Sequence, residues 1–138
     1  MRVMVMVKGN EESEVGVLPS PEEFEEMGRF NEELVKAGML LAADGLQPSS
    51  KGVRIAYSGK DRTVIDGPFT EAKELVAGFW LWQVRSKDEA IEWAKRIPFQ
   101  GGEVEIRPIY EAEDLAEALP PEILEQEQHL RAQVEAQQ

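Results

Sequence analysis

The chain has 138 residues, 42% apolar and 30% charged, which suits a single soluble globular domain with one proper core. It has no cysteine, which removes disulfides, thiolate nucleophiles and sulfur-ligated metals. Its single histidine, His129, lies in a Gln/Glu-rich C-terminal segment, so the body lacks a His-based zinc site or a Ser-His-Asp triad.

The net charge is −12; residues 111–138 supply −7 of it from eight acids and Arg131, leaving −5 for residues 1–110. With no basic stripe to offset that balance, nucleic-acid binding is not expected. Met1 to Val7 is apolar but too short to span a membrane, and it lacks the charged start and cleavage site of a signal peptide. A cytoplasmic location is the default expectation.

Along the chain, Val3 to Val7 reads as a buried strand, apolar on both faces, followed by a polar loop from Lys8 to Leu18. Ser20-Pro21-Glu22-Glu23 opens a helix, with serine at the cap, proline at the first position and glutamate three after the serine. Phe24, Met27, Leu34 and Val35 mark one helical face, and Gly38 fits the end. Leu40 to Ala43 is the next strand, closed by Asp44-Gly45. Val53 to Tyr57 alternates as a half-exposed strand, and Ser58 to Asp61 turns it back into Arg62 to Ile65. Asp66-Gly67-Pro68-Phe69 is a tight turn before the aromatic strand Gly78 to Val84. Ser86-Lys87-Asp88-Glu89 repeats the capping box and opens a helix through Ala90, Ile91, Ala94 and Ile97 that stops at Pro98. Gly101-Gly102 leads into a last strand, Val104 to Ile109.

This skeleton predicts an α+β fold over residues 1–110: a ferredoxin-like βαββαβ sandwich with an inserted hairpin, one antiparallel sheet and two helices on one face. Trp80 and Trp82 share one face of their strand, while Phe79 and Leu81 share the other. A single helical layer covers only one of these apolar faces, so a second subunit docking sheet to sheet is the simplest cover, and a homodimer is expected. Residues 111–138 form an acidic C-terminal helical extension. Its thin stripe of Ile123, Leu124, Leu130 and Val134 suits a solvated helix, an arm on the partner or a disordered segment.

The candidate chemistry centres on the turn. Asp66 can close an Asx-turn, Gly67 tolerates positive φ and Pro68 fixes its own φ, so the four residues make a good turn for local reasons alone. Alternatively, Asp66 projects into a cavity of the sheet as a general base or hydrogen-bond acceptor. Asp44, also at a strand end before glycine, is a second carboxylate able to share acid and base roles if the two come close. Glu71 and Lys73 either line the same mouth or are solvated loop residues. Arg54 either binds an anionic substrate group or, like Arg2 and Arg107, pairs with an acid such as Glu103 or Glu105 at a sheet margin. Trp80 and Trp82 either pack in a core or interface or stack a planar ligand.

Asp66-Gly67-Pro68-Phe69 followed by Glu71, Lys73-Glu74 and Gly78-Phe79 resembles the DGPF group of YCII-related proteins. The similarity runs over roughly residues 1–110 and takes in Ala37-Gly38, Asp44-Gly45-Leu46, Glu89-Ala90-Ile91 and Trp93-Ala94. The resemblance implies a ferredoxin-like subunit forming a dimeric α+β barrel. It implies a site built on a first-helix histidine and an acid, and the chain departs there: Met27 stands where relatives carry histidine, and Asp44 where glutamate is common.

Three functional expectations follow. The first is a homodimeric barrel binding a small organic molecule, with Asp66 and Asp44 as polar anchors and Phe69, Trp80, Trp82 and Met27 among its walls. The second is a cofactor-free isomerase or lyase using Asp66 as base, with Arg54 or Lys73 steadying an enolate-like anion and no metal required. The third is a non-catalytic regulatory or interaction subunit engaging a basic partner through its acidic end.

Overall fold

Valine and tryptophan alternate with methionine, phenylalanine and leucine along two adjacent strands, and this alternation organises the molecule. The computed structural model describes every residue, Met1–Gln138. The elements are β1 (Arg2–Lys8), α1 (Glu11–Glu14), α2 (Pro21–Lys36), β2 (Leu40–Gly45), β3 (Val53–Ser58), β4 (Asp61–Asp66), β5 (Val76–Gln83), α3 (Lys87–Ala94), β6 (Val104–Pro108), α4 (Ala112–Leu115) and α5 (Pro121–Ala136). They fall into two compact units, Met1–Pro108 and Ile109–Gln138.

In the first unit, four strands form a sheet in the order β2-β5-β1-β6, with every neighbouring pair antiparallel. Together with α2 and α3 this is the ferredoxin-like α+β arrangement. Strands β3 and β4 form a separate two-stranded sheet, the inserted hairpin. No helix is long and apolar enough to cross a membrane.

Local chemistry starts and stops the helices. The Ser20 hydroxyl accepts from the Glu23 amide and the Glu23 carboxylate accepts from the Ser20 amide, both at 3.2 Å, closing the capping box of α2. At its other end Gly38 takes φ 71°, the Gly38 amide donates to Val35 O and the Met39 amide to Leu34 O. That pair of bonds is the Schellman pattern, which needs a left-handed residue at this position. In α3, Ser86 caps the Glu89 amide at 3.1 Å, but the box is not reciprocal. The Glu89 carboxylate turns instead to the Arg85 amide and guanidinium.

The core lies between the helices and one sheet face. Val3 and Val5 of β1 stand opposite Trp82 and Trp80 of β5. They pack with Phe30 and Leu34 of α2, Ala90 of α3, and Met39, Val84 and Ile97. The Phe30 ring meets Trp80 edge-on at 6.1 Å between centroids. The opposite sheet face carries Met4 and Met6 in register with Leu81 and Phe79, all half-exposed. In β2 the register slips between Leu40 and Ala42. Leu41 is thereby left over as a bulge, so that Leu40 and Ala43 both reach the core side.

Two expectations need correction. The Lys8–Leu18 loop contains a helical turn, α1, held by a reciprocal box between Asn10 and Ser13. Strand β3 is not half-buried: every residue of β3 and β4 is exposed, because the hairpin lies outside the four-stranded sheet.

In the second unit, the Glu111 amide donates to the Asp114 carboxylate at 2.8 Å, opening α4. Pro120-Pro121 separates it from α5, which buries no residue.

Candidate functional site

The Asp66–Phe69 turn is built on a partner 20 residues away in sequence. The Phe69 amide donates to the Ser49 hydroxyl at 3.0 Å, and that hydroxyl donates to the Glu14 carboxylate. The other Glu14 oxygen accepts from the Ser49 amide at 3.0 Å. The Gly67 amide donates to Gly52 O at 3.0 Å. Gly67 is required here for closeness rather than handedness. Its φ is not positive, and a Cβ added at this position would lie 1.8 Å from Ser49 O. The Gly67–Pro68 peptide is cis. Above the turn, the Arg54 guanidinium sits 3.7 Å from the centroid of the half-buried Phe69 ring.

Asp66 ends β4 opposite Val53; its carboxylate is exposed, makes no hydrogen bond or ion pair, and does not close the expected Asx-turn. Asp44 is exposed on the other sheet, in register with Phe79 at the margin of the half-exposed face. The two acids therefore end strands of different sheets. Glu71 and Lys73 are exposed around the 3-10 turn Ala72–Glu74. Trp80 is 5% exposed and Trp82 0%, and both rings belong to the core, packed on Phe30. Met27 is half-buried against the same core. Of the residues singled out in the sequence, the structure joins Arg54 to Phe69 and groups Trp80 and Trp82 with Met27.

An open pocket of about 340 Å³ lies elsewhere, where the end of α2 and the start of α3 meet the end of β5. Gly38, Met39, Val84, Arg85, Glu89 and Trp93 line it, and none of the sequence candidates does. Its acid is occupied. Glu89 accepts from the Arg85 amide at 3.0 Å, from Nε at 2.8 Å and pairs with Nη2 at 2.7 Å. The backbone bond first and the guanidinium second hold its carboxyl below the usual glutamate value.

The model of the YCII-related domain matches residues 1–113. The chain belongs to the YCII-related family. This YCII-related chain is also similar to an uncharacterized protein of Rhizobium meliloti (strain 1021), with 35% identity over 78 residues. That match covers 54% of the chain and 63% of the relative, a little under two thirds of the latter's length. Within this YCII-related domain, Glu14 and Ser49 are the residues that sequence reasoning missed. They carry no motif, and only the question of what accepts the turn's amide hydrogens leads to them.

Proposed function

We propose that this YCII-related protein is a homodimeric α+β barrel that binds a small organic molecule. A second copy covers the half-exposed sheet face, and Asp44 anchors the ligand at its margin. The observation that carries this reading is the quartet of Met4, Met6, Phe79 and Leu81, adjacent across β1 and β5 and half-exposed, while the reverse face is fully packed. Fully burying an exposed side chain of this kind is worth about 1.5–3 kcal/mol, and these four keep a minority of that area in solvent, so a twin surface adds a fraction of it at each position. Asp44 supplies an exposed acceptor beside that apolar strip, which suits a ligand with an apolar body and a cationic or hydrogen-bond-donating group. The Arg54–Phe69 pair on the anchored turn offers a rigid wall. An enzymatic role for Asp66 as general base draws no support from a carboxylate standing in solvent.

Sedimentation of the full chain and of Leu81→Arg tests the assembly. The wild type should run at no less than twice the 15.5 kDa chain mass, and Leu81→Arg should lower that mass. A mass unchanged by the substitution, or a wild type that stays at single-chain mass, overturns the reading. Small amines and amides titrated against labelled protein should shift amides near Asp44, and Asp44→Asn should abolish the shifts.

A further inference from the structure

The hairpin presents an apolar face that nothing in its own ladder covers. Side chains alternate along a strand, so the pairs Val53–Asp66, Ile55–Val64 and Tyr57–Arg62 share one face. Val53 is 56% exposed, Ile55 48%, Tyr57 70% and Val64 65%. A two-stranded ribbon is marginal in water by itself, and a contiguous apolar surface of this kind marks an association site.

The charges on this face are arranged about its middle. Asp66 stands at one end of β4 and Arg62 four residues away at the other, roughly 13 Å apart along the strand. Arg62 is held in place: its guanidinium lies 4.8 Å over the Tyr57 ring, and Nη1 donates to Gly59 O and Asp61 O, each at 2.9 Å. Those bonds leave Nε and Nη2 for another acceptor. Asp66, at the far end, has an acceptor group and no donor within the chain.

We propose that this hairpin face docks on the same face of a second copy of the chain. The two-fold axis lies in the contact and runs across the strands through the Ile55–Val64 row. That rotation exchanges the two ends of β4 while keeping β4 over β4. Asp66 then meets the partner subunit's Arg62, and the reciprocal pair forms on the other side, as an isologous contact requires. Val53 faces the partner's Tyr57, while Ile55 and Val64 each meet themselves. An axis along the strands would leave Asp66 opposite Val53 and both charges unpaired, so the charge placement selects the first geometry. The surface is separate from the sheet face discussed above and does not depend on it.

The chain has no cysteine, so one introduced thiol can form a disulfide only with another molecule. Val64→Cys, beside the axis, should form a covalent dimer under mild oxidation about tenfold faster than Thr63→Cys, which points to the other face of the same strand. Adding Asp66→Arg to Val64→Cys places like charges together and should slow cross-linking by about tenfold, whereas the exchange Arg62→Asp with Asp66→Arg should restore it. Rescue by the exchange separates a lost contact from a misfolded hairpin. Equal rates for positions 63 and 64, or an exchange that fails to restore cross-linking, overturns the proposal and leaves the face to another partner.

Discussion

The amide of Phe69 donates to the hydroxyl of Ser49 at 3.0 Å, tying the Asp66–Phe69 turn to a segment that precedes the hairpin. Because that hydroxyl also donates to Glu14, the turn is fixed through a serine to a helical turn at the start of the chain. Ser49→Ala removes the acceptor from a part-buried amide and the donor from a part-buried carboxylate. We expect a loss of about 1–3 kcal/mol, with hydrogen exchange accelerated at Phe69 and unchanged in β1. Uniform acceleration across the sheet would show that Ser49 supports the whole unit rather than the turn.

Gly67→Ala should be among the more damaging small substitutions. The added methyl meets backbone at 1.8 Å, and backbone cannot swing aside as a side-chain tip can. Destabilisation of at least about 2 kcal/mol is expected. Gly45→Ala is the control, since a Cβ there meets nothing within 4 Å. Denaturant midpoints compare the two, and equal midpoints would refute the close-approach account of Gly67.

The two core tryptophans should respond differently to the same change. Trp80 Nε1 donates to Asn31 Oδ1 at 2.9 Å, whereas the buried Trp82 Nε1 has no partner. Phenylalanine removes a similar volume at each site. Trp80→Phe also breaks a hydrogen bond, while Trp82→Phe removes a donor already unsatisfied. Trp80→Phe should therefore cost about 1 kcal/mol more by chemical denaturation. The reverse order would count against the assignment of these bonds.

Glu89 should titrate below an ordinary glutamate, because Arg85 binds its charged form. A folded-state value below the unfolded one stabilises the protein above the unfolded glutamate range near 4.5. That contribution disappears as pH falls through the lower folded value. Carboxyl NMR should show the depressed midpoint in the wild type and only a partial rise in Arg85→Ala, which loses the guanidinium but keeps the backbone bond. The stability effect is modest, since Arg85 is itself in solvent. An unshifted midpoint in the wild type would contradict the geometry.

Much of the fold is legible in the sequence because its causes are local. Ser20, Pro21 and Glu23 open α2, Gly38 closes it, and the alternation of Trp80 and Trp82 with Phe79 and Leu81 assigns the faces of β5. What escapes depends on contacts distant in sequence. Glu14 and Ser49 lie 35 residues apart, and nothing in either segment announces the other. Gly67 looks like a residue chosen for handedness until Ser49 is seen against it. The tryptophans favour a core or interface in sequence without excluding a ligand wall, and the packing of Phe30 puts them in the core. The exposure of β3 and β4 likewise follows from their exclusion from the main sheet.

The bulge at Leu41 has a consequence for polymerisation. Strands β2 and β6 are the outer strands of the sheet, and an unbroken outer strand invites further chains to add on indefinitely. The slipped register interrupts that template on one side, while Glu105, Arg107 and Pro108 blunt the other. Growth into ribbons by strand addition at either margin is thereby discouraged.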